Sequence, residues 1–210
     1  MKKSLLATTL VLFFVTACGA GAGNPINAVV GPKKAQDAAL QQSEAKGVTK
    51  CSTSGNMDAT LAELKKTDPT NYESTNKEWT KLKAEGATDA YFAIYASDTA
   101  TCGKLSAGTN KAGTKILGSL VVEFKDTSAA TAGYNGGAFG IDPKTSAGSG
   151  GKTGNATGLG PNSVSGYFSG TGFEFYIALW QRDKWLSYLL TEGFTEPDSS
   201  TMAKVVDSRL

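Results

Sequence analysis

The pattern of apolar and polar positions divides the chain into a helical part and a part rich in strands. Residues 57–66 (MDATLAELKK) and 74–85 (STNKEWTKLKAE) carry large apolar side chains at helical spacing, and Asp68-Pro69 separates them. Residues 33–46 are rich in helix formers, but their apolar members are mostly alanine. The three segments predict a helical layer whose first helix is only weakly amphipathic.

Beyond residue 86 the period of the pattern changes from helical to extended. Residues 90–96 (AYFAIYA) and 116–124 (ILGSLVVEF) are apolar, aromatic and β-branched, which predicts two strands. A short alanine-rich helix is expected over 128–134 and a further strand over 164–169. Residues 133–172 hold 13 of the chain's 25 glycines, a density that predicts a long irregular loop without helix.

Two long apolar runs near the end of the chain predict a β-hairpin. Residues 173–181 (FEFYIALWQ) and 184–191 (KWLSYLLT) flank Arg182-Asp183, and both runs are apolar on both faces, as in strands covered on two sides. A closing helix is expected from about Ser199. The predicted fold class is α+β: an N-terminal helical layer packed with an antiparallel sheet, then the hairpin and the closing helix.

Composition narrows the chemistry that this fold can carry. The 210 residues include 21 Lys and Arg, 19 Asp and Glu, and no His. Without histidine there is no Ser–His–Asp triad, no Cys–His pair and no imidazole ligand for a metal. The near balance of charge gives no indication of a nucleic-acid partner, and no motif predicts a cofactor.

The first 18 residues carry a targeting signal. Met1-Lys2-Lys3 is a short basic region, and residues 5–15 are an apolar run too short to span a bilayer. The run ends in Val15-Thr16-Ala17-Cys18, which resembles the lipobox of bacterial lipoprotein signal peptides. The resemblance implies that residues 1–17 are removed and that Cys18 is acylated. The alternative is an ordinary signal peptide with a chance cysteine near its end.

Cleavage at that position changes the charge and the expected organisation of the mature chain. It removes two lysines and no acidic residue, so the mature chain is formally neutral and the acyl chains must provide the attachment to the membrane. Residues 18–32 are small and glycine-rich, which predicts a flexible tether. Residues 33–210 then form a single extracytoplasmic domain, lipid-anchored in the cell envelope, in the periplasm or at the cell surface.

Two further cysteines, Cys51 and Cys102, remain after Cys18. In an oxidising compartment two cysteines usually pair, and the predicted structural disulfide would tie the helical layer to the sheet. The alternative is a redox or metal-binding pair. Metal sites usually bring cysteines as C-x-x-C pairs with further ligands, and the sequence has no such pattern.

The half of the chain from residue 116 onward carries several features of a known fold. They are a strand that ends in Phe124-Lys125-Asp126, the alanine-rich helix after it, the run GLGPNSV at 158–164, the hairpin, and a closing helix that ends in Arg209-Leu210. In these features the chain resembles small extracytoplasmic lipoprotein domains of the PsbP/Mog1-like α+β fold. Members of that class are mostly binding or accessory proteins without shared catalytic residues, so the resemblance implies a fold more than a function.

Three features resemble catalytic or phosphate-binding sites, and each has a plainer alternative. Gly150-Gly151-Lys152-Thr153 looks like the end of a P-loop, but Ser146 stands where the pattern needs glycine, which favours a flexible loop. Ser163 has no histidine to activate it, which favours a loop leading into a strand. Glu174 interrupts an apolar strand, and burial would raise its pKa as a general acid requires, but spacing assigns no second carboxylate. No catalytic residue is therefore assigned.

Aromatic side chains cluster around the predicted hairpin: Tyr176, Trp180, Trp185 and Tyr188. They predict either the core of the sheet or a partly exposed face that binds a partner or a sugar, since Trp and Tyr dominate interfaces. If the chain has a binding face, we expect it at this hairpin together with the glycine-rich loop.

Three functions are compatible with these features. The first is a non-enzymatic accessory or structural lipoprotein of the envelope that binds another protein. The alternative is a small-molecule-binding lipoprotein, a carrier or sensor, with a concave pocket lined by Tyr and Trp. The third is a glycan hydrolase with two carboxylates across a cleft. The shape of the pocket distinguishes the second function from the first, and the carboxylate spacing identifies the third.

Overall fold

One antiparallel sheet organises the residues that the structure describes. The structure is a computed structural model and describes residues 34–102, 113–146 and 151–210. Its strands are β1 (Thr49–Lys50), β2 (Gly55–Asn56), β3 (Ala87–Ala96), β4 (Ile116–Phe124), β5 (Lys152–Thr153), β6 (Ser163–Gly170), β7 (Phe173–Arg182) and β8 (Trp185–Glu192). Along the sheet the order is β1-β3-β4-β8-β7-β6-β5, and β2 also pairs with β3.

Helices accompany this sheet, which confirms the predicted α+β class. They are α1 (Ala35–Ala38), α2 (Met57–Thr67), α3 (Pro69–Ala84), α4 (Thr127–Gly136), α5 (Pro143–Ser146) and α6 (Glu196–Asp207), with a 3₁₀ turn at Gly154–Thr157. The predicted signal peptide (1–17), the acylated Cys18 and the tether (18–32) lie outside the described residues.

The helices α2, α3 and α4 cover one face of the sheet, which we call the helical face. Asn56 caps α2, because its side-chain oxygen accepts a hydrogen bond from the Ala59 N–H at 3.0 Å. Leu61 of α2 and Leu82 of α3 are buried in one hydrophobic cluster with Phe92 of β3. The apolar stripes that the sequence placed on these helices therefore pack on the sheet.

The helix α3 is longer than the sequence predicted because it begins at Pro69 and not at Ser74. Asp68 accepts a hydrogen bond from the Asn71 N–H at 3.1 Å. Pro69 occupies the first turn, where a helix needs no amide donor. The Asp68-Pro69 pair therefore ends α2, as predicted, and also starts α3.

Residues 34–48 and the helix α6 cover the opposite face, which we call the strap face. The sequence predicted a helix over 33–46, but within the described residues only α1 is helical there. The Leu40 N–H donates to Ser119 Oγ at 3.2 Å, and the Leu40 carbonyl accepts from the Tyr95 hydroxyl at 2.5 Å. These bonds to the sheet take backbone groups that a longer helix would use, so the segment is an irregular strap.

The glycine-rich stretch 133–172 contains short helical elements, contrary to the prediction. The helix α4 continues to Gly136, and α5 and the 3₁₀ turn follow. A Cβ on Gly133 would lie 2.7 Å from Phe124 Cζ, so the missing side chain lets α4 approach β4 closely. Gly133 is therefore needed for the close packing of α4 on β4 and not for a turn. The neighbouring sequence does not reveal this role.

The C-terminal hairpin and closing helix form as predicted, with small shifts in their bounds. The hairpin turns at Asp183 and Lys184, one residue later than expected, and Asp183 has a left-handed φ of 48°. The helix α6 begins at Glu196 because Thr195 is its cap: the Thr195 hydroxyl accepts a hydrogen bond from the Asp198 N–H at 3.3 Å.

A disulfide joins Cys51 and Cys102, whose Cα atoms are 5.6 Å apart. Cys51 lies between β1 and β2 and is buried in the hydrophobic cluster of the helical face, while Cys102 follows β3. The bond fastens the segment that leads into α2 to the chain that leaves the sheet, as the sequence predicted.

Candidate functional site

The four aromatic residues expected to form a binding face do not share a surface. Tyr176, Trp180 and Trp185 lie on the strap face in the cluster that includes α6, with Trp180 at 0% exposure. Tyr188 lies on the helical face. Because successive side chains of a strand alternate, Trp185 and Tyr188, three positions apart, must point to opposite faces. All four residues are buried, which agrees with the core alternative and not with an exposed binding face, and Tyr188 also lines a cavity.

The residues singled out for nucleophilic or phosphate chemistry have structural roles. Ser163 is fully buried, and its hydroxyl lies 2.9 Å and 2.6 Å from the carbonyl oxygens of Gly154 and Gly160, so it fastens the glycine-rich loop. Lys152 lies in β5 and forms an ion pair with Glu196 at 2.7 Å. The first glycine of the P-loop-like motif lies outside the described residues, and a 3₁₀ turn follows the motif instead of a helix.

The candidate general acid, Glu174, accepts a hydrogen bond from the Tyr167 hydroxyl at 3.1 Å. The carboxylate-bearing Glu192 lines the same surface depression of about 350 Å³, near the start of β7. The sequence did not indicate this neighbour because Glu192 lies on a different strand, β8. Two carboxylates in one depression do not define a reaction, so the hydrolase hypothesis stays a prediction.

A cavity of about 370 Å³ lies between α3 and the helical face of the sheet, and we call it the α3 cavity. Its floor is made by four residues of three neighbouring strands, Phe92, Gly118, Tyr188 and Leu190. Gly118 contributes no side chain and so leaves room above β4. The rim is polar and includes Lys77 and Glu78 of α3. A concave, mainly apolar surface with a few polar groups is typical of sites for small ligands.

Tyr188 supplies both an aromatic surface and a hydrogen-bonding group to this cavity. Its ring centroid is 5.2 Å from that of Phe139, in a tilted arrangement that aromatic pairs favour. Among the described residues its hydroxyl has no hydrogen-bond partner, and burial raises the pKa of Tyr188 above its usual value. The hydroxyl therefore stays protonated at neutral pH and is a candidate donor to a bound ligand.

A second cavity of about 320 Å³ lies beside the first, over β6 and β7, and we call it the β6–β7 cavity. Its apolar surface comes from four side chains, Val164, Phe168, Phe175 and Ile177. Its polar surface includes Asp142 and Ser165. Phe168 is 45% exposed, although aromatic side chains are usually covered in a single domain.

A tight turn at residues 138–141 lies at the border of both cavities. Ala138 and Ile141 pair through two backbone hydrogen bonds of 3.0 and 2.9 Å. Phe139 between them has a φ of 51°, a left-handed conformation that residues other than glycine rarely adopt. Its N–H donates to Glu78 Oε2 at 3.3 Å, so α3 holds the tip of the turn.

The helix α3 also holds the base of this turn. Lys81 Nζ donates to the carbonyl oxygens of Gly136 and Gly137, each at 2.7 Å. Glu85, just after α3, has one buried carboxylate oxygen with no hydrogen-bond partner among the described residues. Burial raises the pKa of Glu85, and the nearby Lys81 lowers it in part. The helix that walls the α3 cavity therefore also fixes the end of α4.

Known proteins resemble this chain only distantly. No family model and no curated protein sequence matches it. Among solved structures, a similar one is the extracellular domain of PknH from Mycobacterium tuberculosis, with 13% sequence identity and a TM-score of 0.40. The match covers 61% of this chain and 68% of that chain. A likeness this weak supports no inference about this chain.

Two features that would indicate other kinds of site are missing from the described ranges. None of their helices combines the length and the apolar character needed to cross a bilayer. The same ranges contain no group of three or more His, Cys, Asp or Glu side chains placed to hold a metal ion. The strongest candidate site is the pair of apolar cavities on the helical face.

Proposed function

We propose that this protein is a lipid-anchored, extracytoplasmic binding protein without enzymatic activity, and that it takes a small, largely apolar ligand in the α3 cavity. The observation that carries the proposal is the cavity of about 370 Å³, with an apolar floor on paired strands and a polar rim on α3. Sites of this kind use apolar contact for affinity and a few polar groups for orientation.

The disulfide between Cys51 and Cys102 supports a location outside the cytoplasm, where disulfides form and persist. The lipobox-like Val15-Thr16-Ala17-Cys18 supports the anchor. Mass spectrometry of the membrane-derived protein tests both the cleavage and the acylation. We expect an N-terminal Cys18 that carries acyl chains, and we expect Cys18→Ser to abolish cleavage at this position. An unmodified N-terminus at another residue in the wild type would contradict the anchor.

Two observations support a role without catalysis. The hydroxyl of Ser163 and the carboxylate of Glu174, the candidates for chemistry, are both engaged in hydrogen bonds to the protein itself. The resemblance of residues 116–210 to PsbP/Mog1-like lipoprotein domains points to a class whose members are mostly binding or accessory proteins. Binding through a preformed cavity is consistent with both.

The direct test is to identify what the protein carries. The full-length protein is purified from its own membranes in mild detergent, beside a Gly118→Val variant, and small molecules extracted from both are identified by mass spectrometry. Valine suits a strand, and its side chain enters the space above β4. We expect one compound close to one per protein in the wild type, reduced about tenfold or more in Gly118→Val.

The control for this experiment is the fold of the variant. Gly118→Val must retain its disulfide, and its near-ultraviolet circular dichroism must match that of the wild type. Under those conditions, equal amounts of every compound in both proteins would contradict the proposal. The absence of any stoichiometric compound from the wild type would contradict it as well.

A second candidate function, the capture of a partner protein in the envelope, has one specific observation in its favour. Phe168 and Phe173 are 45% and 42% exposed near the tip of the hairpin formed by β6 and β7. Exposed aromatic patches mark interaction sites more often than random surface does. Size analysis of the same detergent extract is the test. A stoichiometric companion lost in Phe173→Ser supports this function, and elution as a lipidated monomer contradicts it.

A further inference from the structure

The floors of the two cavities form one continuous row across the sheet. In the strand register Gly118 of β4 lies opposite Leu190 of β8. Leu190 lies opposite Ile177 of β7, and Ile177 lies opposite Gly166 of β6. The first two residues line the α3 cavity and the last two line the β6–β7 cavity. Because neighbouring strands are about 4.8 Å apart, the row is about 14 Å long.

We infer that the two cavities are halves of one transverse groove, that the groove takes a single long acyl chain with an anionic head group, and that Phe139 is a movable divider between the halves. This inference rests on the proposed function and names the ligand class for the same site.

The conformation of the turn at 138–141 supports the movable divider. Phe139 is held in the left-handed region, and Gly137 just before the turn and Gly140 within it have φ values of 69° and 80°. A void too small for a water molecule lies under Phe139, so the ring is incompletely packed on its inner side. Lys81 holds the base of the turn. The tip is held to α3 by the bond from the Phe139 N–H to Glu78 at 3.3 Å, so breaking this bond lets the tip shift while Lys81 keeps the end of α4 in place.

The chemistry of the floor favours an alkyl chain over a peptide or a sugar. The strands β4, β8 and β7 are paired on both sides, so their backbone has no open edge to offer to a peptide strand. Leu190 and Ile177 offer only apolar contact in the middle of the row, and Gly118 at one end adds no side chain. At the other end the half-exposed Phe168 ring lies over Gly166, 3.0 Å from where a Cβ would stand, and adds an apolar surface there. A sugar buried there would lose hydrogen bonds to water without replacement.

The rim of the α3 cavity offers a partner for the charged end of such a ligand. Lys77 is exposed, and it belongs to none of the ion pairs found within the described ranges. The other charged rim residue, Glu78, is engaged by the Phe139 N–H at 3.3 Å. A free ammonium group at the mouth of an apolar groove suits a carboxylate or a phosphate head group.

Photo-crosslinking of the full-length lipoprotein in its membranes tests this arrangement. The probes are octanoic and hexadecanoic acids, each with a diazirine at the terminal carbon, and labelled peptides are mapped by mass spectrometry. We expect the short acid to label the α3 cavity and the long acid to label β6 and β7. A hexadecanoyl lysophosphatidic acid with the same diazirine distinguishes a phosphate head group from a free carboxylate.

Two variants, each with a matched control, test whether the groove is continuous, and they do so separately from whether the α3 cavity binds a ligand at all. Ile177→Trp fills the β6–β7 cavity and is expected to reduce labelling of β6 and β7 by the long acid about tenfold, without changing short-acid labelling. Ile177→Leu is the volume-conserving control. Phe139→Gly removes the divider and should raise long-acid labelling severalfold, while Phe139→Tyr should leave it unchanged.

Each part of the inference has its own contradicting result in the crosslinking experiment. If the long acid labels only the α3 cavity, and Ile177→Trp has no effect, the transverse groove is wrong while the proposed function stands. If neither acid labels either cavity, the acyl-chain ligand is wrong, and the extraction experiment with Gly118→Val decides the proposed function. If Lys77→Ala labels as well as the wild type with both acids, the anionic head group at the rim is wrong.

Discussion

The two faces of the sheet are built from the same strands and yet are covered in different ways. On the strap face, residues 34–48 and α6 lie directly on the strands, and Tyr95 and Trp180 are fully buried. On the helical face, α3 buries only Trp79 and Leu82 among its 16 residues. The remaining space under α3 is the α3 cavity.

The difference comes from the covering elements and not from the strands. A helix with a narrow apolar stripe touches a sheet along one line, and space remains beside that line. An irregular strap follows the contour of the sheet and buries the strand residues beneath it. The candidate site therefore lies where a helix with few apolar residues covers an apolar part of the sheet.

The largest expected change in the free energy of unfolding comes from comparing an aromatic residue of the strap face, Trp180, with one of the helical face, Tyr188. We expect Trp180→Ala to lower the free energy of unfolding by about 3–5 kcal/mol, because it leaves a large hole in a filled core. Tyr188→Phe removes a hydroxyl without a protein partner and should change stability by less than about 1 kcal/mol. Urea denaturation followed by circular dichroism measures both, and equal losses would mean that the two faces are packed alike.

The next largest change in stability is expected from removing the disulfide, which fastens the segment before α2 to the chain that leaves the sheet. Replacing both Cys51 and Cys102 by alanine should destabilise the protein by roughly 2–4 kcal/mol, because the unfolded chain regains the freedom that the disulfide removed. The disulfide lies at the start of α2, so hydrogen exchange should speed up more in α2 than in α6. Uniform acceleration in both helices would contradict a local effect on the helical face.

Most of the elements, and the class of the fold, are predictable from local patterns. The strand at 116–124 has the expected bounds, because its apolar run ends at a clear turn. A helix was predicted over residues 33–46 because their composition favours one, and the bonds of Leu40 to Ser119 and Tyr95 override that preference. Helix propensity does not predict the structure where residues distant in sequence form hydrogen bonds with the backbone of the segment.

The candidate site was much less predictable. Tyr188 was among the residues singled out, and strand alternation separates it from Trp185, but no pattern places it under α3. The α3 cavity combines residues from two helices, three strands and the turn at 138–141, and its existence depends on how closely α3 approaches the sheet. That distance is set by packing, which a single sequence does not display.

A smaller effect is expected when a small side chain is enlarged on each face, by two carbons at Ala93 and by one at Gly118. Ala93 on the strap face is fully buried, so Ala93→Val should cost about 1–3 kcal/mol through overpacking. Gly118 faces the α3 cavity, so Gly118→Ala should stabilise the protein by up to about 1 kcal/mol through reduced freedom of the unfolded chain. Thermal and urea unfolding of the pair measure the difference, and a cost at Gly118 equal to that at Ala93 would mean that the cavity is closed in solution.

The smallest effect concerns Glu85, whose buried carboxylate oxygen lies beside the end of α4. Burial raises the pKa of Glu85 in the folded protein, so the folded state binds this proton more tightly than the unfolded state does. Stability from this group is therefore largest at a pH below its ordinary pKa and declines as the pH rises through the raised value. Glu85→Gln should stabilise the protein at pH 7 by less than about 1 kcal/mol and remove this part of the pH dependence.

Urea denaturation of the wild type and Glu85→Gln between about pH 4 and pH 8, where carboxyl groups of raised pKa titrate, measures the effect. Glu73→Gln is the control, because it removes an exposed carboxylate from the same helix. The two proteins should converge in stability toward the acid end and diverge toward neutrality. A Glu85→Gln variant that is less stable than the wild type at pH 7 would show that the attraction between Glu85 and Lys81, at the same end of α3, outweighs the cost of burial.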